Sequence, residues 1–340
     1  MAVIKDVAKL AGVSVGTISK YLNNQGNLKA ETRQKVEYAI NKLQYKPSPL
    51  ARSMRTGKTN TIAVIAPDIT NPFFAETYNS IRQSATQNGY IPILYTTSDD
   101  LKDLRDYLAN ASIKQVDGII LCFVDDNDTI AQLIDEVQKL IPIVMLSWNM
   151  SITKFNCVSI DVFEGAMKAT NHLIALGHKQ IAYVGGHDRV SAEKHSGFLK
   201  ALKIAGLEPK PEFEFYGDFK LQTGYYAARK FSMLHDMPTA IFAENDILAI
   251  GCIKYLLQSN MRVPEDVAVI GFDNIKLSAM YEPSLSTISL PIVQMGEESV
   301  KLLVSSMYKS DAKNKVLILK NELIIRNSTD KNAPVEFEIV

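Results

Sequence analysis

Apolar residues recur at helical spacing from the start of the chain. Ile4, Val7, Ala8 and Ala11 form one stripe, and Gly12 breaks it. Ser14 is a good N-cap and predicts a second helix from Ser14 to about Leu22, with Ile18, Tyr21 and Leu22 on its inner side. A third helix is predicted from about Ala30 to Gln44, its stripe being Val36, Ala39, Ile40 and Leu43. The break of about three residues between the first two is helix-turn-helix spacing, which leaves the second helix free to enter a DNA major groove. A generic three-helix bundle fits the same spacing.

Beyond Thr61 the period changes. Strand-like runs at Ile62–Ala66, Ile91–Tyr95, Gly118–Cys122 and Ile143–Leu146 alternate with helical patterns at Pro72–Asn88, about Asp100–Ile113 and Asp128–Leu140. A second series has strands at Val158–Ile160, Ile181–Val184, Phe213–Tyr216, Thr239–Ala243 and Val267–Gly271. Its helices are Phe163–Leu176, Ser191–Ala205, Leu221–His235 and Asp246–Ser259. This βαβ order predicts an α/β fold of two doubly wound lobes with parallel sheets, and a ligand site beyond the strands' carboxyl ends, between the lobes. Together with the family resemblance described below, this implies a head at 1–47, a hinge helix and linker at 48–59 and a body at 60–340, with lobe one at about 60–159 plus 291–320, lobe two at about 160–290 plus 321–330, and an irregular tail at 331–340.

Composition narrows the class. Of 340 residues, 46% are hydrophobic and 22% charged, which is ordinary for a globular protein and excludes a disordered or collagenous one. No apolar run approaches the roughly 20 residues of a membrane span. Lys5, Asp6 and Lys9 stand where a signal peptide needs apolar residues, so a cytoplasmic location is expected. Cys122, Cys157 and Cys252 lie far apart and read as reduced core cysteines. The net charge of zero conceals a split: residues 1–60 hold eleven Lys and Arg against three Asp and Glu, a net +8, and the remainder carries −8. A basic head on an acidic body suggests nucleic-acid binding, although charge alone also describes a solvated face.

Catalytic chemistry is hard to find. There is no GxSxG, HExxH, GxGxxG or CxxC. Gly57-Lys58-Thr59 ends like a phosphate-binding loop, but Arg52 stands where that motif needs its first glycine. Asp125, Asp126 and Asp128 cluster without the glycine and terminal glutamate of a calcium loop. The five histidines show no metal-ligand spacing, though His195 could approach the cleft. No cofactor, no metal and no enzymatic activity are expected.

The segments IKDVAKLAGVSVGTISKYLN and ETRQKVEYAINKLQYKP closely resemble the head of the LacI/GalR family of bacterial transcription regulators. The likeness continues through PDITNPFF, VDGII, GHKQIAYVGG, SAEKHSGFLKAL, PTAIFAENDILAIG, VPEDVAVIGFDN and PSLSTI. It implies a helix-turn-helix head, a hinge helix and a two-lobed core like that of periplasmic binding proteins. By the same resemblance Ser14, Val15, Gly16, Thr17, Ser19 and Lys20 face the DNA. Asn23, Asn27, Lys29 and Thr32 are placed for phosphate or base-edge contacts. In the hinge, Met54 takes the position of the family's minor-groove wedge, usually Leu, flanked by Arg52 and Arg55. Lys20 replaces the more usual Arg and cannot reproduce its planar fork.

In the body the resemblance assigns Phe73, Phe74, Ser147, Trp148, Lys194, Phe219, Asn245 and Asp273 to an effector site. Aromatic faces with a few polar groups suit a sugar or sugar derivative. Leu290 and Ser147 depart from more polar family residues and reduce the hydrogen-bonding supply. The resemblance implies a repressor that binds double-stranded, pseudo-palindromic operator DNA as a homodimer. The absence of an extended Leu-rich heptad after Arg326 favours dimer over tetramer. Two alternatives stay open: control by a phosphorylated carrier protein acting as corepressor, and a solute receptor with no DNA role.

Overall fold

The first helix, α1 (Ile4–Ala11), stops because Gly12 turns left-handed, with φ +67°. That turn lets Val13 N–H reach the Ala8 carbonyl at 3.1 Å and Gly12 N–H reach the Lys9 carbonyl at 3.4 Å. Ser14 Oγ accepts the Thr17 N–H at 3.2 Å and so opens α2 (Val15–Leu22). The third helix, α3 (Ala30–Lys42), closes the head. Val7, Ala8, Ala11, Ile18, Val36 and Ala39 are its buried core. Tyr21 on α2 donates its hydroxyl to Glu37 on α3 at 2.8 Å, and the Arg33 guanidinium lies 5.7 Å from the Tyr21 ring.

The computed structural model describes residues 2–22, 28–46, 57–97, 101–112, 116–123, 128–148, 154–308 and 314–334. Asn23, Asn27, Arg52, Met54, Arg55, Asp125 and Asp126, with most of the hinge, lie outside them. The chain divides into two compact units, 1–60 and 61–340.

The second unit holds two sheets. Its strands are β1 (Thr61–Ala66), β2 (Ile91–Thr96), β3 (Gly118–Cys122), β4 (Ile143–Ser147), β5 (Asn156–Ile160), β6 (Ile181–Gly185), β7 (Glu214–Tyr216), β8 (Ala240–Ala243), β9 (Ala268–Asp273), β10 (Ser286–Ser289), β11 (Val316–Leu319) and β12 (Glu322–Ile324). One sheet runs β11-β5-β4-β3-β1-β2, with every pairing parallel. The other runs β12-β10-β9-β8-β6-β7 and is parallel except where β12 meets β10. β3 and β4 are buried throughout, as strands covered on both faces must be.

The helices between them are α4 (Pro72–Gln87), α5 (Leu101–Ser112), α6 (Asp128–Gln138), α7 (Val162–Ala175), α8 (Arg189–Ile204), α9 (Leu221–Ser232), α10 (Asp246–Gln258), α11 (Lys276–Met280) and α12 (Ile292–Tyr308). Polar caps start four of them just beyond strand ends. Asn71 accepts from Phe73 N–H, Asp161 from Glu164, Asp188 from Ser191 and Asn245 from Leu248, at 2.7–3.1 Å.

The pattern alone groups Val158–Ile160 with the second series, but β5 pairs with β4 and β11 in the first sheet. The period of a buried strand reports burial and not which sheet buries it. The chain therefore passes between sheets after β5, after β10 and after β11. All three cysteines are buried free thiols. No described helix is long and apolar enough to cross a membrane.

Helices α9 and α10 approach backbone to backbone. A Cβ on Gly224 would overlap the Leu248 carbonyl oxygen, and one on Gly251 would overlap the Leu221 carbonyl oxygen. Main chain cannot rotate away as a side chain can. Gly224→Ala is therefore expected to lower stability by about 1–3 kcal/mol through overpacking. Urea unfolding checks this: the midpoint falls with little change in slope, and an unchanged midpoint would show that the two helices separate freely.

Candidate functional site

The head offers one exposed surface. On α2 and its cap, Ser14, Val15, Gly16 and Lys20 are exposed, while Thr17 and Ser19 are half-buried. Val15 is 40% exposed although apolar, because the packing side of the helix is taken by Ile18. Lys29 is exposed and Thr32 half-buried. Every described Lys and Arg of residues 1–60 is exposed. Solvated cations at this density form the electrostatic footprint that a phosphate backbone attracts.

In the body, the first sheet's carboxyl ends carry a cluster of rings. Phe73, buried on α4, lies 5.3 Å from each of Phe74, Phe123 and Trp148. Phe123 stacks on Trp148 at 4.2 Å. Ser147, the last residue of β4, is buried on the sheet face of Ile143 and Met145, alternate to Leu146.

The second sheet supplies charge. Lys194, near the start of α8, is 5% exposed. Its ammonium donates to the Glu244 carbonyl at 2.8 Å and lies 4.3 Å from the Phe272 ring and 5.6 Å from the Trp148 ring. Such contacts with ring faces stabilise a cation by about 2 kcal/mol or more when it is desolvated. Lys194 thus touches aromatic residues of both lobes.

Asp273 ends β9 with φ +111°. Burial pushes its carboxyl well above the ordinary value, Lys194 opposes that shift, and Asp246, Glu244 and Glu76 reinforce it. Among the described residues its carboxylate accepts no hydrogen bond. Asn245 Oδ1 is committed to the α10 cap. Phe219 is 38% exposed, and its ring lies over Gly186, where a Cβ would overlap it. Leu290 is buried and its N–H meets the Asp273 carbonyl at 3.5 Å.

Of the predicted body residues, Phe73, Phe74, Trp148 and Lys194 are joined by these contacts, and Asp273 by its electrostatic interaction with Lys194. Ser147 is buried on the opposite face of the sheet, Asn245 serves a cap, and Phe219 lies over the β6 end. His195 turns to β7, with Nε2 3.2 Å from both Glu214 Oε1 and the Tyr216 hydroxyl.

Sequence reasoning missed the buried acids. Glu244 accepts from the Tyr183 hydroxyl at 2.6 Å and from the Ser191 hydroxyl at 2.5 Å, and burial raises its pKa. Asp246 accepts from Thr287 Oγ1 at 2.6 Å and from Ile275 N–H at 2.9 Å. Glu76 on the first lobe accepts the Lys276 N–H of the second at 3.1 Å. The available signal was the Glu-Asn-Asp run directly after the apolar strand β8. Phe123 was missed because it continues the apolar run of β3.

Burial raises the Asp246 pKa from 3.8 to about 7 against the pull of its hydrogen bonds and of Arg326. The folded state then holds a proton that the unfolded state has released, so stability falls as pH rises across that window. Asp273 and Glu244 act in the same direction. Asp246→Asn is expected to flatten the slope between pH 4 and pH 7 without abolishing it. Urea titrations at several pH values check this, and a full wild-type slope in the variant would show that Asp246 does not titrate there.

Residues 3–48 match the model for bacterial regulatory proteins of the lacI family, and residues 170–329 match a periplasmic binding protein-like domain. The HTH-type transcriptional repressor PurR of Mannheimia succiniciproducens is 36% identical over 335 residues, which covers 98% of this chain and 100% of that protein. The HTH-type transcriptional regulator DegA of Bacillus subtilis is 37% identical over 330 residues, covering 96% and 97%. The solved Lac repressor dimer, bound to operator and the anti-inducer ONPF, superposes with a TM-score of 0.87 at 27% identity, covering 96% of this chain and 99% of that one. With its head matched by the family model and its whole length matched by transcriptional repressors, the chain belongs to the lacI family of bacterial regulatory proteins, helix-turn-helix regulators that bind DNA under the control of a ligand.

Proposed function

We propose that the protein is a cytoplasmic repressor that binds a pseudo-palindromic operator as a homodimer and answers to a sugar or sugar derivative held between the lobes of its body. The observation that carries the DNA-binding half is the exposed face of Ser14, Val15, Gly16 and Lys20 on a head whose described cations are all solvated. Val15 and Gly16 offer apolar contact and close approach to bases, while Lys20 offers a point charge. Asn23, Asn27, Lys29 and Thr32 hold the head in register, and Arg52, Met54 and Arg55 serve the hinge.

The observation that supports the effector half is the pairing of an aromatic wall with two buried ionisable side chains, Lys194 and Asp273. Phe73, Phe74 and Trp148 give an apolar face, while Lys194 and the carboxyl of Asp273 give a polar edge. Pockets of this kind orient a ligand with few polar groups and bind it with the rest. The carrier-protein alternative has no such observation in its favour.

Selection of bound duplexes from a random DNA pool, with full-length protein at near-physiological salt, tests the DNA-binding half. A two-fold symmetric consensus is the expected result. Salt-controlled binding that enriches no sequence would mean that the free protein has low operator affinity and that a corepressor is needed; enrichment of no sequence even with candidate effectors present would remove the operator reading. On the selected operator, a panel of sugars and sugar phosphates then identifies the effector. Asp273→Ala is expected to abolish the effector's influence on operator affinity while leaving binding of the free protein near wild type. An unchanged effector titration would take Asp273 out of the site.

A further inference from the structure

Phe123 follows β3 in a conformation that phenylalanine rarely adopts. Its φ is +53°, in the left-handed region, where a bulky residue is an outlier. Its N–H still makes the β3–β4 ladder bond to the Leu146 carbonyl at 2.7 Å, so the departure from the strand falls at Phe123 itself. Had β3 stayed extended, residue 123 would share the face of Ile119 and Leu121, opposite to Ile120 and Cys122. Its ring instead packs with the cluster of Ile120 and Cys122 and lies on Trp148, with centroids 4.2 Å apart and planes 22° from parallel. It also reaches Phe73 at 5.3 Å and Phe74 at 5.8 Å. Trp148's other ring neighbour, Phe73, is more distant and lies at 30°. Among the described residues Phe123 is therefore the nearest ring to the indole, and the same indole lies 5.6 Å from the Lys194 ammonium.

Backbone strain of this kind persists only where the surroundings over-determine it, and it gathers at ligand sites. The Phe123 ring is half-buried among the aromatic residues of the cleft wall. An offset or stacked ring pair also has a preferred geometry that an aliphatic side chain cannot supply.

We infer that Phe123 is a positioning residue of the cleft: its left-handed turn sets its ring against Trp148 and so fixes the indole as the rigid wall beside Lys194. The inference rests on the proposed reading of the cleft as the effector site, but its test uses neither effector nor DNA, so either can fail without the other.

Trp148 is the chain's one tryptophan, so its fluorescence in the full-length protein reports the position of this wall alone. Three variants are compared with wild type: Phe123→Tyr, Phe123→Leu and Phe123→Gly, each checked for a cooperative melt. Tyr keeps the ring and is expected to keep the emission maximum and the acrylamide quenching of wild type. Leu keeps apolar bulk without a ring, and Gly accepts the turn freely without a side chain. Both are expected to shift emission to the red and to raise quenching at least twofold. If Leu does not fold, Gly carries the test, since it relieves the strain. Wild-type emission and quenching in the Leu variant would show that bulk suffices, and in the Gly variant that Trp148 is held without Phe123. Either outcome overturns the inference.

Discussion

Parallel pairing is the constraint from which the chemistry of the body follows. Strands that run the same way put their carboxyl ends along one edge of a sheet, and the loops that leave that edge meet the N-termini of the next helices. In this body Phe73 and Phe74 lie just beyond β1, Phe123 beyond β3, Trp148 beyond β4, Phe219 beyond β7, and Glu244, Asn245 and Asp246 beyond β8. Asp273 closes β9. None of these residues is close to all the others in sequence. Because the chain passes between the sheets three times, the two edges are held together by adjacent segments after β5, β10 and β11.

That arrangement explains why so much charge is buried there. An isolated buried ammonium is costly unless its surroundings compensate. Around Lys194 the compensation is distributed: a backbone carbonyl at 2.8 Å, two ring faces, and the field of Glu244 and Asp273. The buried acids are treated unequally. Glu244 and Asp246 each receive two hydrogen bonds from named donors, whereas Asp273 receives none among the described residues. A fully internal structural cluster would have satisfied all three. The unsatisfied one sits at the strand end, in a backbone conformation with φ +111° that a non-glycine residue adopts only under constraint.

The sequence made the local structure legible and left the long-range part obscure, for a physical reason. The stop at Gly12 and the cap at Ser14 are decided within a few residues, so α1 and α2 were readable from composition and spacing. The buried strands were readable as apolar runs. The partner of such a run is not written in it, which is why β5 was grouped with the wrong series. The buried acids posed the same problem more sharply. Glu244 is tolerable only because Tyr183 and Ser191, 61 and 53 residues away, donate to it. Phe123 looked like the tail of a hydrophobic strand, and only its φ of +53° reveals that the chain has turned. The family resemblance supplied Lys194 and Asp273 where spacing alone could not. It was silent on Phe123 and Glu244.

Control of an operator by a ligand requires that the ligand bind two states of the protein with different affinity. The buried carboxyl of Asp273 offers a source of that difference. Burial holds that carboxyl well above its ordinary pKa, which reflects the cost of keeping it charged there. With the lobes apart, water would solvate it. On the proposed reading of the cleft, a ligand that donated a hydrogen bond to Asp273 while lying against Trp148 would offset that cost in the lobe arrangement that brings the two together, and less in any other. The difference need be only about 1–3 kcal/mol to change operator affinity some 5–150-fold. The charge split gives that change something to act on. A net +8 in the first sixty residues favours any phosphate backbone, and −8 in the rest disfavours the approach of the body to DNA. Non-specific attraction therefore belongs to the head.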